Sequence, residues 1–133
     1  MSAPQLSAAA RAFVAERHLA VLCTQRADGT PHAVPVGFTV DHRADGALVA
    51  RVITFAGAVK ARNAARPGRA SVTQLDGPRW LTLEGAVRLT DDPVEVAAAV
   101  AAYAERYRPP KHRTDRVVVE IHVDRVMCNS GLR

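Results

Sequence analysis

The chain has 133 residues, of which 48% are hydrophobic and 23% charged. This balance is typical of one globular domain over residues 1–133 and excludes a disordered chain. Its 18 Lys and Arg residues against 13 Asp and Glu give a net charge of +5, which favours an anionic partner. No apolar run reaches the roughly 18 residues of a membrane-spanning helix. Arg11, Glu16 and Arg17 interrupt the candidate secretory signal, so we expect a cytoplasmic protein that does not bind membranes.

The first half of the chain predicts one helix followed by three strands. Ser7 is a typical N-cap for a helix that ends near Arg17. Strands are expected over residues 19–25, 32–40 and 47–54. Asp28-Gly29 and Asp45-Gly46 separate these strands, and Asp-Gly between apolar runs predicts a tight hairpin. Pro35 has no amide hydrogen to donate, which predicts an edge strand or a bulge.

The second half predicts two further helices and three further strands. Gly57 breaks the preceding strand, and Pro67-Gly68 ends the short helix that follows. Asp76-Gly77 predicts a third hairpin. Asp92-Pro93 combines an acidic N-cap with a proline in the first turn, which opens a helix that runs to about Arg108. Helices are therefore expected over residues 58–66 and 93–108, and strands over residues 70–75, 79–89 and 116–127.

Six strands connected largely by tight hairpins pair antiparallel. That many strands in a small chain favour a closed or half-closed barrel, with the helices on its flanks. The chain lacks the alternation of strands and helices that a parallel dinucleotide-binding fold requires. The expected class is mainly β (α+β), a six-stranded antiparallel barrel.

The segment from Arg51 to Asn63 predicts an anion site. A strand ends at Thr54, Gly57 permits a tight turn, and the first amides of the next helix have no partner within that helix. Lys60 falls in the first helical turn and Asn63 one turn later, so we expect both on one face. Arg51 lies on the preceding strand. Two interpretations stay open here: a phosphate cradle, or an ordinary helix with a solvated basic face.

Other chemistries receive little support from the residues. The five histidines show no metal-ligand spacing, the two cysteines form no C-x-x-C pair, and no serine has a G-x-S-x-G context. We therefore expect no metal site and no hydrolytic activity. The arginines are interleaved with acids instead of being clustered with exposed aromatics, which argues against nucleic-acid binding. The sequence identifies no catalytic acid or base.

Trp80 is the only tryptophan in the chain and follows the Asp76-Gly77 turn. A lone tryptophan usually belongs to the core or to a subunit interface. Gln74 lies on the opposite arm of the same predicted hairpin and is expected near it across the ladder.

Three segments carry a recognisable pattern in this order and spacing. They are Ala50-Arg-Val-Ile-Thr54 followed by Gly57, Lys60 and Asn63; Asp76-Gly-Pro-Arg-Trp-Leu-Thr-Leu-Glu-Gly85; and Glu16-Arg-His-Leu-Ala20. Together they resemble the split β-barrel family of pyridoxamine 5′-phosphate oxidase-like flavin and deazaflavin proteins. Within that family the chain is most similar to the branch that uses coenzyme F420. The resemblance covers nearly the whole chain.

The resemblance implies an FMN-binding type of split barrel that forms a homodimer, with two cofactor sites at the subunit interface. The cofactor's ring is then expected along Pro35 and Val36, and the partner subunit contributes Gln74 and Trp80. The cofactor's phosphate is expected against Arg51, Val52, Ile53, Thr54, Gly57, Ala58, Lys60 and Asn63. Several deazaflavin-binding relatives carry an arginine two positions before the lysine, where this chain has Ala58.

The implied activity is transfer of hydride from reduced F420 to a conjugated acceptor, with biliverdin, reduced to bilirubin, as the favoured substrate. The cofactor carries the hydride, and the protein supplies binding and orientation. Two alternatives stay open: an FMN-dependent oxidase on the same fold, and a non-catalytic binder of a flavin, F420 or haem. Composition does not distinguish F420 from FMN.

Overall fold

A computed structural model describes residues 4–133, which form one antiparallel sheet flanked by helices. The strands are β1 (Ala20–Gln25), β2 (Pro31–Val36), β3 (Thr39–His42), β4 (Leu48–Phe55), β5 (Arg69–Asp76), β6 (Arg79–Thr90) and β7 (Arg116–Cys128). The α-helices are α1 (Ala8–Ala15), α2 (Val59–Ala64) and α3 (Pro93–Arg106), and a short 3-10 helix follows at Ser130–Leu132. No described helix combines the length and the apolar character that crossing a membrane requires.

The local signals for turns and helix starts are confirmed. The Ser7 side chain accepts a hydrogen bond from the Ala10 amide at 3.0 Å. Asp92 caps α3 in the same way, by accepting from the Glu95 amide at 3.1 Å. The glycines of the three Asp-Gly pairs, Gly29, Gly46 and Gly77, all have positive φ, at 86°, 90° and 59°. A left-handed backbone favours glycine because it lacks a Cβ.

The prediction of six strands is wrong, because the expected strand over residues 32–40 is two strands. The chain leaves β2 after Val36, turns through Gly37 and Phe38, and enters β3. Phe38 is fully buried in the core. Its amide donates a hydrogen bond to the Tyr107 hydroxyl, and its carbonyl accepts one from Arg106 at the end of α3. β2 pairs with β1 at one edge of the sheet and β3 pairs with β4 at the other, so the chain must turn between them where Phe38 enters the core.

The sheet has seven strands in the order β2-β1-β5-β6-β7-β4-β3 and is not closed, so the closed barrel considered from the sequence is not formed. Its two edges are β2 and β3, which confirms the edge position predicted from Pro35. Only two residues connect these edge strands, so the sheet must curl until its edges meet at that corner. The interior is filled by apolar side chains from the sheet and by Phe13 of α1, all fully buried.

The helices cover different parts of this curled sheet. α2 packs against β1, β6 and β7, and α3 packs across β3, β4 and β7. On the other side of β1, β5 and β6, the side chains of Val21, Leu75 and Trp80 remain exposed, so neither helix covers them. This leaves two features for function: the split between the edge strands and an uncovered outer face.

Candidate functional site

The two edges of the sheet leave an opening beside β4. β3 pairs with β4 only over residues 48–51, ending at the Thr39–Arg51 pair. Within residues 4–133 no strand pairs with that same edge of β4 beyond Arg51. The backbone groups of Val52 and Ile53 on this side are therefore available to a ligand, since an unpaired strand edge presents free donors and acceptors.

A cavity of about 180 Å³ occupies this opening. It brings together five of the residues that the sequence predicts at the cofactor: Pro35, Val36, Val52, Ile53 and Lys60. The first two come from the end of β2, the next two from the open edge of β4, and the lysine from the first turn of α2. Segments predicted to bind the ring and the phosphate of one molecule thus line one cavity.

Four further residues line the cavity and were not predicted: Gly37, Tyr103, Pro110 and Arg116. Gly37 lies in tight contact with α3, because a Cβ there would stand 2.9 Å from the Tyr103 ring. Arg116 begins β7 and is the cross-strand partner of Phe55 at the end of β4. No spacing in the sequence reveals this pairing, because the two strands are separated by α2, β5, β6 and α3.

The cavity is cationic. Lys60 and Arg116 both line it, and within residues 4–133 no carboxylate lies within ion-pair distance of either. The Arg116 guanidinium donates to the carbonyl oxygens of Thr54 at 3.4 Å and Lys111 at 2.7 Å, so its position is held by neutral groups. Two unpaired cations beside an open strand edge suit a compact anion attached to a flat heterocycle.

Arg51 lies outside this cavity. Its guanidinium donates to Asp41 at 2.8 Å and to Glu95 at 3.2 Å, and the residue is buried under the N-terminal end of α3. Arg43 joins the same network through Asp41 at 3.1 Å and Glu120 at 3.3 Å. The charge of Arg51 is thus neutralised by acids from β3 and α3, although the sequence suggested that it converges with Lys60.

Asn63 and Gln74 are also committed to partners inside the protein. Asn63 donates to the Thr24 hydroxyl at 3.0 Å and accepts from Arg66 at 2.9 Å, so it faces β1 and does not share a ligand with Lys60. Gln74 is fully buried, donates to the Phe13 carbonyl at 2.8 Å and accepts from Arg106 at 2.6 Å. Both hydrogen bonds of the Gln74 side chain are thus made within this chain, away from the cavity that Lys60 lines.

The remaining predicted residues lie next to the cavity or far along the sheet. Thr54 is buried, and its Oγ1 has no hydrogen-bond partner among the described residues. Gly57 and Ala58 form the turn into α2, and Ala58 is its N-cap without a capping side chain. Trp80 lies on the outer face of β6 at the β5–β6 hairpin and is 39% exposed.

A half-buried arginine, Arg106, supports the wall of the cavity. Arg106 donates to the carbonyl oxygens of Glu16 and Phe38 and to Gln74, and its guanidinium stacks 4.7 Å from the Phe38 ring centroid. Burial lowers the pKa of Arg106 from its ordinary value. Tyr107 adds a hydrogen bond from its hydroxyl to the His18 carbonyl at 2.7 Å, and burial raises its pKa. These contacts hold the turn that follows Gly37 in place.

A second charged cluster lies at the start of the β5–β6 hairpin. Glu16, His18 and Asp76 place atoms of the metal-ligand type within 4.8 Å of one another. Arg79 donates to Glu16 at 2.7 Å and to Asp76 at 2.5 Å, so both carboxylates share one guanidinium as their ion-pair partner. The hydrogen bond from Arg79, with a smaller effect of His18, lowers the pKa of Glu16 from 4.5 to about 2. We interpret the cluster as an ion-pair network.

This shift predicts a specific pH dependence of stability. The folded pKa of Glu16 lies below the unfolded value, so its contribution is fully present above pH 4.5 and is lost as the pH falls towards 2. We expect the difference in unfolding free energy between the wild type and Glu16→Gln to shrink over that range. Urea unfolding at a series of pH values measures it. A difference that stays constant from pH 5.5 to about 2.5 would contradict the assignment.

Comparison with known proteins agrees with this geometry. The family described as pyridoxamine 5′-phosphate oxidase matches residues 6–128. A protein named F420H(2)-dependent biliverdin reductase, from Mycobacterium tuberculosis (strain CDC 1551 / Oshkosh), is 48% identical over 128 residues, which cover 96% of this chain and 91% of that protein.

Two solved structures share the fold. A conserved hypothetical protein from Mycobacterium tuberculosis superposes with a TM-score of 0.76 and 25% identity, covering 96% of this chain and 86% of the other. A protein described as F420 reductase superposes with a TM-score of 0.69 and 24% identity, covering 88% of this chain and 94% of the other. The family match spans both edge strands, the cavity between them and all three α-helices. This chain is a member of the pyridoxamine 5′-phosphate oxidase family.

Proposed function

We propose that this protein is a coenzyme F420-dependent reductase that transfers a hydride from the reduced deazaflavin to biliverdin and so forms bilirubin. The observation that carries the proposal is the cavity in which Lys60 and Arg116 face the open edge of β4. The relative that is 48% identical over 96% of the chain supports this choice of cofactor and substrate.

The residues present fit a phosphorylated deazaflavin. Lys60 supplies a compact cation for the phosphate, and it has no competing carboxylate among the described residues. The unpaired backbone edge at Val52 and Ile53 can hydrogen-bond the edge of a flat ring system. Pro35 and Val36 offer apolar contact to the face of that ring. When bound, reduced F420 would supply the hydride, and these residues would fix its orientation.

The wall of the cavity also limits the proton chemistry. Among the described residues that line it there is no carboxylate and no histidine, and we assign Lys60 and Arg116 to the phosphate. Tyr103 packs against the Tyr107 ring and Gly37. We assign to solvent the proton that accompanies hydride transfer. The residues around the cavity act by binding and orienting the reactants, which is the usual role of the protein in a cofactor enzyme.

The proposal includes a homodimer formed through the uncovered outer face of the sheet. Five large apolar side chains are exposed there: Leu19, Val21, Leu75, Trp80 and Met127. The Leu75–Trp80 pair and the Val21–Pro35 pair belong to neighbouring strands of this face, so it continues to the rim of the cavity. A contiguous apolar surface of this kind is typical of a protein interface. A partner seated on it would border the cofactor site.

Charged residues in this face should separate the subunits. We expect the double variant Leu75→Glu/Trp80→Glu to be monomeric, because burying two carboxylates against apolar side chains is strongly unfavourable. The control is Val94→Glu, which places one carboxylate on α3, where Val94 is 76% exposed. Sedimentation equilibrium measures the mass. A monomeric wild type, or a double variant that remains dimeric, would contradict the proposed interface.

Paired titrations test the cofactor. The purified protein is titrated with F420 and with FMN, and both dissociation constants are measured by fluorescence. We expect tight F420 binding and weaker FMN binding, followed by oxidation of reduced F420 when biliverdin is added. Tight FMN binding without F420 binding would favour an FMN-dependent oxidase. A stable F420 complex without turnover of biliverdin or other conjugated acceptors would favour a carrier.

A further inference from the structure

We propose that Arg116 is the second phosphate-binding cation of the cavity and acts together with Lys60. The inference rests on the proposed function, because it assumes that the ligand in this cavity carries a phosphate. No sequence pattern or spacing predicts that Arg116 lies at this cavity. Its position follows from the pairing of β4 with β7. The ligand class is a phosphorylated, flat heterocycle.

The position of Arg116 is fixed by two backbone carbonyls. One Nη donates to Thr54 at 3.4 Å, at the end of β4, and the other to Lys111 at 2.7 Å, in the loop that follows α3. A guanidinium has five N–H donors in a planar fork. The two hydrogen bonds to carbonyls leave the other N–H donors of Arg116 free to bind a ligand in the cavity that this residue lines. A positioned fork of this kind suits the oxygens of a phosphate.

Within the described residues no carboxylate lies within ion-pair distance of Arg116. Its neighbour Asp115 accepts two hydrogen bonds from the Arg113 guanidinium, from Nε at 2.9 Å and from one Nη at 3.1 Å. This hydrogen bonding lowers the pKa of Asp115, so that carboxylate stays ionised and paired with Arg113. Arg116 is thus left without an acid at the cavity wall.

The α2 side of the cavity supplies a single cation. Lys60 lines the cavity, whereas Ala58 is buried against Ala61 and Val117 and carries no charge. Arg51, the other basic residue of the neighbouring strand, is paired with Asp41 and Glu95. Arg116 is therefore the residue that provides a second positive charge opposite Lys60.

A purely structural role is the alternative for Arg116, since its bond to Lys111 also ties down the loop between α3 and β7. The two roles differ in how they depend on the ligand. Loss of a structural tie weakens all ligands of the cavity alike, whereas loss of a phosphate contact weakens only ligands that carry a phosphate. This difference defines the experiment.

The test compares Arg116→Gln with Arg116→Lys and with the control Arg88→Gln, which removes an exposed arginine of β6 outside the cavity. Each variant is titrated with F420 and with its chromophore lacking the phosphate, and likewise with FMN and riboflavin. For Arg116→Gln we expect affinity for the phosphorylated ligands to fall about 10- to 30-fold, as for loss of one charged hydrogen bond. Affinity for the phosphate-free ligands should change less than about threefold. Arg116→Lys should recover part of the loss, because it keeps the charge without the fork.

The outcomes separate this inference from the proposed function. Equal weakening of phosphorylated and phosphate-free ligands, or no weakening at all, overturns the role of Arg116 while F420 binding by the wild type stands. Binding of FMN but not F420 overturns the proposed cofactor, and the comparison of FMN with riboflavin still tests Arg116. If the wild type binds no phosphorylated ligand, both proposals are overturned. Unfolding midpoints measured without ligand show whether each variant is folded.

Discussion

The variant Lys60→Ala is expected to lose about 100-fold in affinity for F420 while its unfolding temperature stays close to that of the wild type. A lysine that faces a bound phosphate contributes a charged hydrogen bond, and such bonds are worth about 1.5–3 kcal/mol, where each 1.4 kcal/mol is tenfold in affinity. Lys60 has no carboxylate partner among the described residues, so its removal leaves no acid unpaired. Alanine also has the highest helix propensity, so α2 should persist.

The matched control for this experiment is Arg62→Ala, which removes a positive charge from an exposed position on the same helix, outside the cavity. Isothermal titration with F420 gives the affinities, and calorimetric unfolding gives the stabilities. Because surface charges act weakly at a distance in salt, Arg62→Ala should change affinity only a few-fold. Equal affinity of Lys60→Ala and the wild type would overturn the phosphate assignment.

The variant Gly85→Ala is expected to destabilise the fold by at least about 3 kcal/mol, the largest stability effect that we predict. A Cβ at Gly85 would overlap the carbonyl oxygen of His122 and stand 2.7 Å from its carbonyl carbon. The clash is with backbone, in the bulged pairing of β6 with β7, where Glu84 opposes Arg125 and Gly85 opposes Val123. The ladder itself has to shift, since no flexible side chain can move away.

The control is Gly131→Ala, where a Cβ would meet no atom closer than 3.5 Å, the side-chain amide of Asn129. That substitution should change the free energy of unfolding by less than about 0.5 kcal/mol. Chemical denaturation of both variants measures the difference. If Gly85→Ala were as stable as the wild type, β6 and β7 would have to accommodate the added methyl group at no cost, which would contradict this prediction.

The same long pairing connects fold and site. β7 joins β6 on one side and β4 on the other, and its first residue is Arg116. Any shift of β7 along β4 therefore moves a cation relative to Lys60. This coupling gives a reason to measure F420 affinity in Gly85→Ala if the variant can be purified.

Side-chain partners were the least predictable part of the site. Three polar side chains of the kind that bind ligands are instead hydrogen-bonded to distant segments of the chain. Arg51 bonds to Glu95, Asn63 to Thr24, and Gln74 to the carbonyl of Phe13. Spacing along one strand or helix shows which way a residue faces relative to its neighbours. It does not show which other element packs against that face.

Local features were predictable from short sequence patterns: the helix starts at Ser7 and Asp92, the three Asp-Gly turns, the edge strand at Pro35 and the lysine of α2. Each depends on the conformational limits of a few adjacent residues, which is why short patterns suffice. Other features became visible only in the folded chain: the break of residues 32–40 at Gly37, the open sheet of seven strands, and the approach of Arg116 and Tyr103 to the cavity that Lys60 lines. Those outcomes depend on contacts between segments far apart in the chain. The proposed phosphate site uses two of the 18 basic residues, Lys60 and Arg116, which the fold brings to one cavity.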